Sequence, residues 1–204
     1  MSRQRQTLWW ASGVALAGML GWVGWRRWRA EPESPGYQVL AVKDGLEVRQ
    51  YRPLLVAVTE LSGSFAQSLE EGFDRLAGYI FGGNTREESI AMTAPVGLQR
   101  RGEAWRVTFV MPPHFTLESL PTPRDSRVRL EPVPARRVAV RRFSGAATEA
   151  AAKAEREWLL AALRRQGLQP LGEPVLAQYN SPFVPPFLRR NEILVDVRPL
   201  EWVH

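Results

Sequence analysis

The sequence predicts an α+β fold made of two copies of one strand-helix-strand-strand unit. Residues 56–63, Val-Ala-Val-Thr-Glu-Leu-Ser-Gly, are echoed by residues 138–145, and a helix-like segment follows each copy. A second echo keeps one register over two pieces: 91–96 and 105–112 recur 87 residues later as 178–183 and 192–199. Such a period is too long for a solenoid and fits a duplicated domain.

The net charge is concentrated at one end of the chain. Of the net charge of +6, five positive charges fall in residues 1–30, which contain no acidic residue. Residues 31–204 are nearly neutral, with 22 basic and 21 acidic side chains. A nucleic-acid-binding domain needs a basic face that displaces counterions from phosphates, so we expect no nucleic-acid partner. The absence of cysteine excludes disulfides and thiolate metal sites.

An uncharged run at residues 8–25 predicts a single-pass N-terminal transmembrane helix. Its 18 residues would span about 27 Å as a helix, close to the roughly 30 Å of a hydrocarbon core. Four tryptophans stand near the two ends of the run, as is typical of membrane interfaces. The alternative is a cleaved signal peptide, but the run is long and no small-residue cleavage site precedes Arg26. Arginines on both sides leave the orientation open, and we expect the domain on the outer, periplasmic face.

We divide the chain into four parts. These are an anchor with basic flanks (1–30), a linker (31–36), a folded domain (37–199) and a short tail (200–204). The linker combines proline and glycine, which disfavour regular structure, with acidic residues that keep it solvated. The domain is long enough to bury an ordinary hydrophobic core.

The first copy of the repeat contains four predicted strands and a helix. Alternating apolar residues indicate strands at 46–51 and 54–61. Ser64 and Gln67 then have the spacing of a capping box, and 82–84, Gly-Gly-Asn, end the helix that follows. An apolar stripe runs along this helix at three- and four-residue steps: Phe65, Leu69, Phe73, Leu76 and Ile80. Strands at 90–96 and 106–111 complete the copy.

The second copy repeats this order with a different helix. Strands are predicted at 128–130, 137–143, 175–179 and 192–197, and the helix at about 148–166. Alanines stand in this helix where the first helix has Phe65, Leu69 and Phe73. The first helix is therefore the better candidate for an aromatic ligand-binding wall. The echo of 91–96 at 178–183 indicates a structural joint that leads into the last strand of each half.

No constellation of residues indicates catalysis. His114 and His204 are the only histidines, and neither has the partner spacing of a metal site or a catalytic triad. The glycines at 82–83 close a helix instead of opening one, and no P-loop lysine follows them. The acidic pairs at 70–71 and 87–88 are typical of solvated faces. We therefore predict no catalytic residue and no metal ligand.

Two features of the sequence could take part in ligand binding. The apolar stripe of the first helix is first of all core, but it could also line a cleft between the helices and the sheet. The polar cluster at 189–192, Arg-Arg-Asn-Glu, is either a surface entry to the last strand with Glu192 paired to an arginine, or the place where an arginine meets an anionic ligand. Arg75, on the first helix, is the other candidate for such a charge partner.

Six motifs stand in order between residues 37 and 197: Met92-Thr-Ala-Pro-Val96, Val110-Met-Pro112, Leu120-Pro-x-Pro123, Phe143-Ser-Gly145, Gln178-Tyr-Asn-x-Pro182 and Arg189-Arg-Asn-Glu192. Together they resemble the motifs of the SOUL family of haem-binding proteins. The resemblance implies a distorted antiparallel β-barrel with two helices and a pseudo-twofold repeat, similar in architecture to small-molecule effector-binding domains. It also implies that haem or another tetrapyrrole binds in a shallow, largely apolar pocket on the first helix.

The pocket helix departs from the family pattern. Where family members carry basic residues and methionines, this chain has Glu70, Phe73, Ala77 and Gly78. Phe73 could pack on a porphyrin face, whereas Glu70 would oppose a propionate. On this helix, the predicted cofactor-binding residues are Phe65, Leu69, Phe73 and Leu76 as the apolar wall, with Arg75 as the nearest basic substitute for a charge partner.

These observations give three hypotheses of different classes. The first is a membrane-anchored, non-enzymatic protein that binds haem or a related tetrapyrrole for buffering or delivery. The second is a protein-interaction module at the membrane with a vestigial pocket. The third is an enzyme that acts on a small hydrophobic substrate, for which no nucleophile, base and orienting group stand together in the sequence.

Overall fold

The computed structural model describes residues 33–198, which form nine β-strands and two α-helices. The strands are β1 Tyr37–Lys43, β2 Leu46–Tyr51, β3 Leu54–Ser62, β4 Val96–Arg101, β5 Ala104–Val110, β6 Arg129–Val133, β7 Arg136–Phe143, β8 Pro170–Gln178 and β9 Asn191–Val197. The helices are α1 Phe65–Ile80 and α2 Glu149–Arg165, and a 3-10 turn lies at Pro186–Leu188.

All nine strands belong to one antiparallel sheet with the order β1-β2-β7-β9-β8-β4-β5-β3-β6. Its end strands, β1 and β6, do not pair with each other, so the sheet is open. The α+β class with two helices is confirmed, whereas the distorted antiparallel β-barrel implied by the resemblance is found as a sheet that does not close. β1 and β6 are thus the edge strands of the sheet. All seven residues of β1 are exposed.

Most predicted elements occupy their expected places, with two corrections. The strand β1 was not predicted, because none of its side chains is buried and it therefore shows no core-facing alternation. The strand predicted at 90–96 is absent, and β4 begins only at Val96. Groups just before β4 bond outside the sheet ladder: the Ala94 amide donates to the Glu33 carbonyl at 2.8 Å, and the Thr93 hydroxyl donates to the Val110 carbonyl.

Helix α1 follows the local signals in the sequence. The Ser64 hydroxyl accepts a hydrogen bond from the Gln67 main-chain amide. The Gln67 side-chain oxygen accepts one from the Ser64 main-chain amide, which completes the capping box. The buried face of α1 lies on β3 and β5. Gly72 permits this close approach, because a Cβ at that position would lie 2.8 Å from Cβ of Val107.

Helix α2 packs against the other half of the sheet. Thr148 caps its N-terminus, Glu149 lies in its first turn, and Arg164 and Arg165 lie in its last turn. This charge distribution complements the helix dipole at both ends. Both helices therefore start and end as their sequences predict.

The strand order is symmetrical about the middle of the sheet: β2-β7-β9-β8 on one side corresponds to β6-β3-β5-β4 on the other. The units β3-α1-β4-β5 and β7-α2-β8-β9 meet where β4 pairs with β8. The 87-residue register holds for β5 and β9, but not for the loops: 91–96 precede β4, whereas 178–183 follow β8. The two loop segments are thus not equivalent joints, and the duplication itself stays a prediction.

The predicted transmembrane helix at 8–25 lies outside the described residues. Within residues 33–198, no helix has the length and apolar character needed to cross a membrane.

Candidate ligand-binding cleft

A cleft of about 960 Å³ opens beside the first half of α1. Its other walls are the segment 92–96, the start of α2 at 146–149, and the segment 178–183 that follows β8. This volume lies within the range of small-molecule sites, roughly 300–1,000 Å³. The cleft therefore lies between the two halves of the domain, near the pairing of β4 with β8.

The five predicted cofactor-binding residues separate into two groups. Phe65, Leu69 and Phe73 line the cleft, and the Phe73 ring packs edge-on against Phe109 with centroids 5.3 Å apart. Leu76 is fully buried in the core, and Arg75 donates from Nη1 to the Thr59 hydroxyl at 2.8 Å. Neither Leu76 nor Arg75 lines the cleft. Arg75 is rotated around the helix from Leu69 and Phe73, whereas Leu76 shares their face but lies further along the helix, over the core.

The loop residues Met92, Pro182 and Phe183 line the same cleft. Met92 is 41% exposed and Phe183 is 77% exposed. From the sequence, both loops were predicted to be structural joints because one echoes the other. Both of the echoed segments do border the cleft. Their proximity, however, results from the antiparallel pairing of Val96 with Gln178.

The charged residues around the cleft are mostly acidic. Glu70, Asp74 and Glu149 line it, and Arg189 is the one basic residue among the described lining residues. The Arg189 guanidinium donates to two main-chain carbonyls of the loop before it, at 2.7 Å to Val184 and 2.6 Å to Pro182. Arg189 therefore holds that loop in place.

A buried ion network extends from the cleft into the sheet. Glu192 is 0% exposed and Arg49 is 1% exposed, and they form two hydrogen bonds of 2.9 and 3.0 Å. The Tyr179 hydroxyl, from a residue that lines the cleft, donates to Glu192 at 2.7 Å. Arg190 adds a contact of 2.8 Å on the outer side. The carboxylate thus has three hydrogen-bonding partners.

Only part of this network was predictable from the sequence. One of the two interpretations of 189–192 paired Glu192 with an arginine, which the contact with Arg190 confirms, but it placed the pair at a surface. The partner Arg49 was missed because β2 has the pattern of a half-exposed strand. Only the sheet order, in which β2 and β9 flank β7, brings Arg49 within reach of Glu192.

His114 does not line the cleft, and its ring lies against Phe115 with centroids 4.4 Å apart. Within residues 33–198, no three His, Asp or Glu side chains are grouped so that they could hold a metal ion. A ligand in this cleft would therefore meet mainly aromatic and aliphatic side chains, a thioether and a few carboxylates.

A family model described as SOUL heme-binding protein matches residues 32–196. The chain belongs to the SOUL heme-binding family. No curated protein matches the chain. The match covers both helices and all nine strands of the SOUL domain up to Asp196.

Solved structures share the fold of this SOUL domain at low sequence identity. The EcmrR C-terminal domain has a TM-score of 0.60 at 10% identity and covers 80% of this chain and 99% of its own. A hydrolase from Listeria innocua has 0.53 at 15% identity, with coverage of 78% and 94%. An uncharacterized conserved protein from Listeria innocua has 0.51 at 12% identity, with coverage of 85% and 96%. At such identities these likenesses show the fold alone.

The ion network of the SOUL domain changes the pKa of its members. Burial alone would raise the pKa of Glu192, but the hydrogen bonds and charge of Arg49, with Tyr179 and Arg190, outweigh it and lower that pKa. Burial, together with the charge of Glu192, strongly raises the pKa of Tyr179. Glu192 is therefore ionised and Tyr179 is neutral at neutral pH.

Acid is expected to destabilise the SOUL domain through Glu192. Because the pKa of Glu192 is lower in the folded state than its ordinary value of 4.5, the unfolded state binds more protons between these two values. The stability contributed by Glu192 is therefore present above about pH 4.5 and is lost as the pH falls through the lowered pKa. Melting temperatures measured from pH 7 to pH 3 should fall more steeply for the wild type than for Glu192→Gln. Parallel profiles would contradict this assignment.

Proposed function

We propose that the cleft of this SOUL domain binds haem or a related planar tetrapyrrole reversibly and without catalysing a reaction, for buffering or delivery. The observation that carries the proposal is the aromatic and aliphatic wall of α1, where Phe65, Leu69 and Phe73 share one cleft. Burying apolar surface is worth about 25 cal/mol per Å². A flat macrocycle on this wall would gain most of its binding free energy in that way.

The residues present fit the ring of a tetrapyrrole better than its iron. Phe73 is held in position by Phe109 and offers a face or edge for stacking. Met92 offers a soft thioether for iron, whereas the Tyr179 hydroxyl is already bonded to Glu192. The described lining residues include no histidine, cysteine or lysine. This composition supports reversible binding.

Titration of the full-length chain with hemin in a mild non-ionic detergent tests the proposal. We expect a saturable shift of the Soret band. Ala66→Trp should weaken hemin binding by about ten-fold or more, because Ala66 is exposed on the cleft wall and a large side chain there fills the cleft without removing a core contact. Phe73→Ala should weaken it as well, because the stacking surface is lost.

Two matched variants serve as controls. Ala154→Trp adds the same side chain at an exposed position of α2 outside the cleft, and Phe81→Ala removes an exposed aromatic ring at the end of α1. Both should bind hemin like the wild type. A missing Soret shift in the wild type, or equal affinities for Ala66→Trp and Ala154→Trp, would contradict binding in this cleft.

The N-terminal anchor belongs to the same proposal. The uncharged run at 8–25 would hold the SOUL domain at a membrane, and we place the domain on the outer, periplasmic face of a bacterial membrane. Protease treatment of spheroplasts tests this placement. The domain should be cleaved without permeabilisation. If it is protected until the membrane is lysed, the domain lies on the opposite, cytoplasmic face.

We further infer that the domain arose by internal duplication. The order of elements in β3-α1-β4-β5 recurs in β7-α2-β8-β9, and the strand order is symmetrical about the pairing of β4 with β8. The 82- and 87-residue echoes in the sequence support the same inference.

A second candidate function, a protein-interaction module, is favoured by one surface loop. Phe187 is 75% exposed and Leu188 is 63% exposed, next to the exposed Phe183. Isolated exposed apolar residues are ordinary, but a contiguous group is typical of an interaction surface. This alternative predicts that a partner bound in the absence of haem is retained by Ala66→Trp and lost by Phe187→Ser.

A further inference from the structure

We infer that the cleft selects a planar apolar ligand whose polar edge is neutral or cationic, and that it discriminates against free carboxylates. This inference rests on the proposed function, because it concerns the charge of the ligand that the same cleft would bind. It follows from the distribution of charge around an apolar wall.

Three carboxylates face the cleft. Glu70 and Asp74 lie one helical turn apart on α1, beside Leu69 and Phe73, and Glu149 contributes from the first turn of α2. None of the three forms an ion pair with another described residue. Exposed acids elsewhere in the domain are of both kinds: Glu173 pairs with Arg156 at 2.9 Å, whereas Glu71 forms no ion pair with another described residue. At the cleft, the three carboxylates are thus without a direct ionic partner.

The positive groups near the cleft do not compensate for these acids. Arg189 carries one charge, but its Nε and Nη2 donors are bonded to the carbonyls of Val184 and Pro182. The capping residues of both helices, Ser64 and Thr148, also line the cleft. A helix N-terminus carries about half a positive charge, so the two helices add about one. Among the groups that line the cleft, three negative charges therefore exceed roughly two positive ones; Lys153, one turn beyond Glu149 on α2, does not line the cleft.

A free propionate at this edge would meet net repulsion. At physiological ionic strength, charges interact over about 8 Å, which is comparable to the spacing of two helical turns. A cationic group would be attracted by the same carboxylates, and an ester or amide would experience neither effect. Because exposed charge pairs change an equilibrium constant by roughly two- to five-fold each, several acting together should give a measurable preference.

Three iron-free porphyrins with one ring system test the inference on the full-length chain in non-ionic detergent. They are protoporphyrin IX, its dimethyl ester, and a derivative whose two propionates are amidated with a quaternary ammonium amine. Fluorescence titration should give the tightest binding for the dication, then the ester, then the dianion. We expect the dication to bind about ten-fold more tightly than the dianion at low salt, and the difference should shrink near 0.5 M salt.

Removing the carboxylates should reduce the preference. Glu70→Gln combined with Asp74→Asn is expected to strengthen binding of the dianion and weaken binding of the dication, each by roughly three-fold. Glu71→Gln is the matched control, because Glu71 is an exposed acid on the same helix that does not line the cleft. It should change neither affinity.

The possible outcomes separate the two proposals. Binding of all three porphyrins with the dianion tightest, or an equal effect of Glu71→Gln, would overturn the charge preference and leave tetrapyrrole binding intact. Binding of none of them would overturn both the proposed function and this inference.

Discussion

Glu192→Gln is expected to lower the free energy of unfolding of the SOUL domain by about 3–5 kcal/mol. Glu192 is completely buried and receives hydrogen bonds from Arg49, Tyr179 and Arg190. Glutamine keeps the shape of the side chain but removes its charge. Arg49, which is 1% exposed, would then lose its fully buried carboxylate partner and keep only the partly exposed Glu47, at 2.7 Å.

The effect is large because the substitution removes only one charge of the buried pair of Arg49 and Glu192. Chemical unfolding of the full-length chain, followed by circular dichroism, measures it. Glu173→Gln is the matched control, because Glu173 pairs with Arg156 at the surface, with side-chain exposures of 51% and 43%. Solvent screening limits the effect of losing such an exposed pair to about 1 kcal/mol or less.

Equal losses of stability in Glu192→Gln and Glu173→Gln would contradict the structural role of the network. The double change Arg49→Met with Glu192→Leu gives a further check. Because both buried charges are removed together, this variant should be more stable than Glu192→Gln, although Arg190, Glu47 and the Tyr179 hydroxyl each lose a partner.

Gly72→Ala is expected to destabilise the domain by about 1–3 kcal/mol, although alanine favours helix over glycine. A Cβ at residue 72 would lie 2.8 Å from Cβ of Val107 and 3.1 Å from Cδ1 of Leu61. The first of these atoms is attached directly to the backbone of β5, so α1 must move away from the sheet. Thermal unfolding of the variant measures the loss of stability.

Gly78 provides the opposite case on the same helix. A Cβ at residue 78 meets no atom within 4 Å, and the residue is exposed. Gly78→Ala should therefore stabilise the domain by about 0.5–1 kcal/mol through helix propensity alone. A stabilising Gly72→Ala, or the same change in both variants, would show that α1 does not pack as closely on β5 as the structure indicates.

The close packing at Gly72 also bears on the cleft. Phe73 follows Gly72 and lines the cleft wall, and its ring packs against Phe109 of β5. A displacement of α1 by Gly72→Ala should therefore weaken hemin binding as well as stability. Gly78→Ala should leave hemin binding unchanged, because residue 78 does not line the cleft.

Local signals in the sequence were sufficient for the helices and most strands. Ser64 and Gln67 fixed the start of α1 because capping is a contact between neighbours in the chain. Alternation of apolar residues located β2, β3, β7 and β9 because one face of each strand meets the core. Local signals failed for β1, which buries no side chain, and for 90–95, where the Ala94 amide and the Thr93 hydroxyl bond to other parts of the chain.

The candidate site was predicted in part for the same reason. The apolar stripe of α1 identified Phe65, Leu69 and Phe73, but a stripe cannot show which of its members face the cleft and which face the core. Leu76 is buried, and Arg75 is bonded to Thr59. The loop residues Met92 and Phe183 join the site only through strand pairing.

The sequence by itself determined the α+β class, the family and the two helices, because these depend on periodicity, capping and ordered motifs along the chain. Only the tertiary structure decided the open sheet, the buried pair of Arg49 with Glu192, and the cleft between segments 92–96 and 178–183. Each of these depends on which strands become neighbours. Arg49 and Glu192 are 143 residues apart in the chain, so their contact follows from the strand order β2-β7-β9 and not from any local pattern.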